Sequence, residues 1–276
     1  MAQLSEFQAE VRAVRAVPKA ERMGRAQALV DAYSRGPMTG AVAIALMLML
    51  RDCADQREDW ERVLKFIDGL DDELRSIPEL TEQRALALSY AGRNIEAIAA
   101  VEALVAASGP TQERLGLLGG RYKRLYKDPK TAPGDAKKFL NRSIESYERG
   151  MQLDLNEYYC SCNLPSLYRI RGRAGDEKLA QTVLQLVIAA CERARLRGST
   201  DPWLRATLLV AAMDSGDADK AEALADEVES GDPADWQVKS IIESLELSLM
   251  HAGDDVTMAR MAAVVERLRH HGRRPL

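Results

Sequence analysis

Apolar residues recur along this chain at spacings of three and four. Strict alternation and clusters of β-branched or aromatic residues are missing, so the pattern predicts helix almost throughout. The clearest stretch is Leu140, Ile144, Tyr147 and Met151, whose steps of 4, 3 and 4 place them on one helical face. Periodicity and breakers together predict helices over 4–16, 19–34, 39–54, 57–75, 79–91, 94–107, 111–127, 135–153, 157–172, 176–197, 202–215, 218–230, 235–252 and 255–270. Asp201-Pro202 reads as an N-cap followed by proline at the first helical position, and Asp235 as the cap of the helix carrying Trp236. Trp203 and Trp236 are expected to pack helix starts.

Glycine supplies a longer period. Gly92-Arg93, Gly134-Asp135, Gly175-Asp176, Gly216-Asp217 and Gly253-Asp254 are separated by 42, 41, 41 and 37 residues. Such spacing between helices marks stacked helix-turn-helix units. Each glycine is expected where the first helix of a pair ends in a left-handed turn, which costs least without a Cβ. Two units resemble the tetratricopeptide pattern closely, with a turn glycine, a small residue five positions on and a proline twelve or thirteen beyond that: Gly92, Ala97, Pro110 and Gly216, Ala221, Pro233. Leu118, Gly119 and Tyr122 follow the large, small, aromatic order of a first helix. Leu164, Pro165, Tyr168 and the turn residue Gly172 follow it with proline in the small position, where a kink is expected. The fold class expected is therefore all-α, a tetratricopeptide-like α-solenoid of antiparallel helix pairs. Its expected organisation is an N-terminal helical capping region over 1–77, repeats over 78–252, and a C-terminal capping helix with a short basic tail over 253–276.

Further segments carry a family resemblance. Gly120-Arg-Tyr-Lys-Arg-Leu-Tyr-Lys-Asp128, Ser143-Ile-Glu-Ser-Tyr-Glu-Arg-Gly-Met151, Asn163-Leu164 and Trp236-Gln-Val-Lys-Ser-Ile-Ile-Glu-Ser244 stand in the order seen in the TRAF-binding tetratricopeptide region of the apoptosis-signal-regulating kinases. The likeness spans about residues 40 to 252 and implies a regulatory, protein-binding module. The chain is too short for a kinase and shows no Gly-rich phosphate loop or catalytic-loop pattern, so kinase activity is not carried over. Ala- and Arg-rich usage looks bacterial, which points away from TRAF-type adaptors and toward a partner protein or peptide in a signalling or defence setting.

Composition adds limits. With 46% apolar and 29% charged residues, the 276-residue chain is ordinary for a soluble protein. Its longest apolar run, Ala41 to Leu50, is half a membrane span and reads as a buried helix, although pairing with a second copy through it is left open. No secretory leader opens the chain, and four cysteines without framework spacing fit a reducing cytoplasm. No cofactor is expected. The formal net charge is −4, yet residues 115–143 hold eight cations, Arg121, Lys123, Arg124, Lys127, Lys130, Lys137, Lys138 and Arg142, against Asp128 and Asp135. An acidic partner would be drawn there, or a small phosphorylated ligand sensed by the patch at 121–142. Nucleic acid is disfavoured by the acidic whole and the lack of a stacking set of aromatics.

The candidate binding face lies on successive first helices. Counting from the packing leucines Leu118 and Leu164 selects Leu117, Gly120, Lys123 and Arg124, then Asn163, Ser166, Arg169 and Ile170. With Arg121 and Tyr159 beside them, the candidate partner-binding set is Arg121, Lys123, Arg124, Tyr159, Asn163, Ser166 and Arg169. Cationic and amide donors on rigid helices suit an acceptor-only carboxylate; an ordinary solvated face is the competing reading. Catalytic and metal readings are weaker. Cys160 and Cys162, two apart on a helix, would point about 200° away from each other and cannot grip one ion. His251 lacks a positioned nucleophile and reads as a helix C-terminal histidine.

Overall fold

A computed structural model describes residues 2–250 and 254–270. Along the chain its residues divide into two compact units, the first ending at Ser108 and the second beginning at Gly109. The Gly253 turn, His251 and the tail beyond His270 lie outside the described residues.

The first unit holds α1 (Ala2–Ala16), α2 (Lys19–Tyr33), α3 (Gly40–Cys53), α4 (Arg57–Asp68), the short α5 (Asp72–Arg75), α6 (Pro78–Tyr90) and α7 (Asn94–Ser108). The capping of α4 shows why the chain turns helical there. Asp59 Oδ2 accepts from the backbone N–H of Gln56 at 3.1 Å, and Trp60, Val63, Leu64 and Ile67 then follow on one buried stripe. Trp60 stacks on Tyr90 of α6 with ring centroids 4.4 Å apart. The helix expected over 57–75 is broken because Gly69 ends α4 and Asp71 caps a new turn, accepting from Leu74 N–H at 2.8 Å. The apolar run 41–50 lies in α3, where Leu46, Met47 and Leu50 are fully buried among the unit's own helices. These three side chains therefore belong to the core of the unit and present no face for a second copy.

The second unit is four helix hairpins: α8 (Gln112–Lys127) with α9 (Pro133–Leu153), α10 (Leu164–Arg171) with α11 (Asp176–Leu196), α12 (Trp203–Asp214) with α13 (Ala218–Ser230), and α14 (Asp235–Leu249) with α15 (Asp255–Arg269). One core runs through them, from Leu140, Ile144 and Tyr147 to Leu245 and Val265. Close approach within the first hairpin depends on Gly119. A Cβ there would stand 2.7 Å from the Tyr147 ring, and Ser143 Oγ donates to the Gly119 carbonyl at 2.8 Å.

The repeat glycines are not equivalent. Gly92, Gly175 and Gly216 adopt positive φ of 85°, 90° and 74°, as a turn between paired helices requires. Gly134 does not; it sits in the first turn of α9 just after Pro133, so the expectation that it closes a first helix is corrected. Asp128 and the loop that follows make that turn instead. The helix expected over 157–172 is also shorter. Residues 161–163 form a single 3₁₀ turn and α10 begins at Leu164, so Pro165 lies in its first turn, where a missing N–H costs nothing, and no kink is needed. Asp201 does accept from Trp203 N–H at 3.0 Å, but the helix starts at Trp203, one residue later than expected. The cap of α14 is Ala234 rather than Asp235, held by Gln237 Oε1 accepting the Ala234 N–H at 2.9 Å. Trp203 and Trp236 pack together at these two helix starts, 5.6 Å between rings.

Candidate binding face

The first helices α8, α10, α12 and α14 turn one side toward each other, and a set of polar side chains meets across that inner face. Lys123 of α8 donates to Asn163 Oδ1 at 2.7 Å and to Ser244 Oγ of α14 at 3.4 Å. Asn163 Nδ2 in turn donates to the carbonyl of Tyr159 at 3.0 Å. Burial pulls the Lys123 ammonium down to about 8, against the opposing pull of Glu243. Arg124 Nε lies 3.5 Å from Glu243 Oε2, and Lys127 Nζ reaches both the Glu243 carbonyl and Glu246 Oε2 at 3.3 Å. Arg269 of α15 grips the other side of Glu246 at 2.5 Å, so this carboxylate is held below its ordinary range, although burial pulls it upward. Helices more than a hundred residues apart in sequence are thus joined through charge.

Further along the same face, Arg169 lies between Glu177, at 3.1 Å, and the last residue of α12, donating from Nη1 to the Asp214 carbonyl at 3.1 Å. The Asp214 carboxylate is buried, with the Arg169 guanidinium 3.6 Å away. Neither of its oxygens meets a donor in good geometry among the described residues. Burial pushes its carboxyl up to about 6, against the lowering influence of Ser248 and Arg169. A cleft of about 580 Å³ opens beside it, lined by Arg169, Arg173, Asp176, Glu177, Asp214 and Gly216 among others. Its charges are mutually neutralised, since Arg171 also clasps Asp176 through two bonds of 2.6 and 2.9 Å.

The candidate residues therefore meet, but as partners of their own fold. Lys123, Arg124, Asn163 and Arg169 line the inner face; Ser166 is buried beneath it, and Leu117 belongs to the core. Arg121 is buried on α8, while the Tyr159 ring covers Gly116 so closely that no Cβ would fit. The basic run at 115–143 separates into two sets. Lys123, Arg124 and Lys127 face α14, whereas Lys138 and Arg142 of α9 are exposed and pair along their own helix with Asp135 and Glu145. Spacing does not single out Lys127, Ser244, Glu243 and Glu246 as face residues, because their meeting depends on α14 coming round to α8, nor Asp214, whose place depends on the end of α12 coming against Arg169 of α10.

The cysteines carry no activated thiol. Cys160 is buried against the Gln112 carbonyl, Cys162 lies beside Thr207, and burial pushes them up to about 12 and about 11. Because residues 161–163 form a 3₁₀ turn, the geometry expected for two cysteines on one α-helix does not apply. Among the described residues no group of three His, Cys, Asp or Glu side chains is placed to hold a metal, and no helix is long and apolar enough to cross a membrane.

Helix pairs stacked in register, turn glycines between them and a polar inner face define an all-α, tetratricopeptide-like solenoid. Residues 52–168, from the end of α3 into α10, match the family described as Tetratricopeptide Repeats-Sensor. The crystal structure of a thermophilic tetratricopeptide-repeat protein from Thermus thermophilus is similar over 83% of this chain and 100% of that one, with a TM-score of 0.54 and 15% identity. That likeness concerns the fold. No curated protein matches the chain.

Proposed function

We propose that this chain is a non-catalytic regulatory module that captures an acidic segment of a partner protein on the inner face of α8 and α10. The observation that carries the reading is the row Lys123, Arg124 and Lys127, whose contacts include the Asn163 amide oxygen, the Ser244 hydroxyl, the Glu243 backbone carbonyl and the carboxylates of Glu243 and Glu246. The tetratricopeptide-type fold, generally a mediator of protein–protein contact, supports an interaction role. The resemblance to the TRAF-binding region of the signal-regulating kinases supports a place in signalling or defence. The test is calorimetric titration with a helical peptide carrying glutamates three and four positions apart. Binding by the native chain that is lost in R124Q/K127Q is the expected result; no binding, or equal binding by that variant, refutes it.

A second reading, a sensor of a small phosphorylated ligand at 121–142, draws support from the exposure of Lys138 and Arg142 on α9 and from the likeness of residues 52–168 to the Tetratricopeptide Repeats-Sensor family. It predicts a rise in melting temperature with nucleotides that peptides do not produce. A flat response across a broad nucleotide panel removes it.

A further inference from the structure

The contact of α14 with α8 differs in kind from its contacts with its neighbours. Toward α12 and α15, α14 buries Ile241, Leu245 and Leu247 in the common core. Toward α8 the described bonds are polar: Lys123 to Ser244 at 3.4 Å, Lys127 to Glu246 at 3.3 Å and Arg124 to Glu243 at 3.5 Å. These lie beyond the usual range of about 2.7–2.9 Å for charge-assisted bonds. Separating α14 from α8 would give up long ionic contacts, which water can replace, and would leave the apolar anchorage on α12 and α15 in place.

The lining of the gap points the same way. At this contact Lys123 is itself buried, its ammonium bonded to Asn163 and Ser244. Buried polar groups cost free energy that apolar residues of similar size would not, and charges cost most. The Lys123 ammonium recovers hydration or a ligand's carboxylate when the gap widens, which a dry seam would not permit.

We propose that α14 is an internal competitor for the basic row of α8: Glu243 and Glu246, one helical turn apart, occupy Arg124 and Lys127 as a partner's carboxylates would. An acidic helical segment docks by displacing them. This inference rests on the acidic-partner reading above and adds that the free protein is self-occupied.

The test uses the native chain and the Lys127–Glu246 pair itself. A water-soluble carbodiimide activates a carboxylate, and attack by a neighbouring amine forms an amide with loss of the urea by-product. Lys127 and Glu246 should therefore couple, giving an α8–α14 cross-link readable by peptide mass spectrometry. Adding a helical peptide with glutamates at positions i and i+3 should suppress that cross-link and replace it with a Lys127–peptide one. E243Q/E246Q should bind the same peptide about tenfold more tightly than the native chain, the sum expected for releasing two weak ion pairs. Peptide binding with the internal cross-link undiminished and the variant no tighter overturns the competitor while leaving the acidic-partner reading intact. Absence of peptide binding to both proteins overturns that reading, and the competitor falls with it.

Discussion

Lys123 and Asn163, forty residues apart, are each other's closest polar partners: Nζ donates to Oδ1 at 2.7 Å across the gap between α8 and the start of α10. Two groups whose chemistry suits a bound carboxylate thus satisfy one another first. Asn163→Ala should leave a buried ammonium with only its weak bond to Ser244 and cost about 1–3 kcal/mol. Lys123→Met combined with Asn163→Leu should cost less than the two single changes added, because both polar groups go together. Urea denaturation of the four proteins gives the coupling directly; additive costs would show that the bond contributes nothing.

Asp214 should give the protein an unusual acid response. Its folded carboxyl titrates at about 6, above the ordinary value of 3.8, so between these pH values the folded state holds more proton than the unfolded one. Its contribution to stability therefore rises as pH falls from 7 toward 4, opposite to a salt-bridged carboxylate. Asp214→Asn should stabilise at pH 7.5 by on the order of 1–3 kcal/mol and abolish this part of the dependence. Urea midpoints at pH 7.5 and 5 for both proteins test it. A variant that is less stable at pH 7.5 would mean that the Arg169 pairing outweighs burial.

Lys123 acts at the other end of the scale. With its folded value near 8 against 10.5 unfolded, the unfolded chain holds more proton between those limits, so stability should climb with pH from 8 to 10. The climb should vanish in Lys123→Met. Denaturation across that range distinguishes Lys123 from the surface lysines.

Three glycines in different backbone settings should respond differently to alanine. Gly119→Ala forces a methyl into the Tyr147 ring and should cost about 1–3 kcal/mol. Gly216→Ala places a side chain at a φ of 74° and should cost about 1–2 kcal/mol. Gly134→Ala has open space and helical backbone, and should stabilise by about 0.5–1 kcal/mol. Thermal melts of the three suffice, and a destabilised Gly134→Ala would contradict the placement of that residue in α9.

Native-state alkylation at neutral pH should be slow at Cys160 and Cys191, which are buried, and slower than a free thiol at Cys162, whose thiol burial pushes up to about 11. Rapid labelling of Cys162 before unfolding would show that the inner face opens far more often than its packing implies.

Much of this was legible in the chain because the signals are local. Leu140, Ile144 and Tyr147 share a buried face as their spacing requires, and Gly92 and Gly216 turn where the period places them. Gly134 misled because a helix N-terminus tolerates glycine as readily as a turn needs it, and proline beside it fits both. The inner face was legible only in part. The position of Lys123 follows from helix phase, whereas Asn163 sits in the 3₁₀ turn before α10, and no local pattern reports that Glu243 and Glu246 come round to meet α8. That meeting depends on small rotations accumulated over three hairpins, and each is set by packing rather than by any one residue.

The reach from α8 to α14 changes how the second unit should unfold. In a one-dimensional array each hairpin feels only its neighbours, and the last pair frays without consequence for the first. Here the Lys127–Glu246 and Lys123–Ser244 contacts tie the fourth hairpin to the first. The coupling then has the topology of a loop instead of a string. Removing α14 and α15 would strip α8 of the counter-charges of Glu243 and Glu246, and loss of cooperativity should appear at α8, in the hairpin of this unit farthest in sequence from the cut.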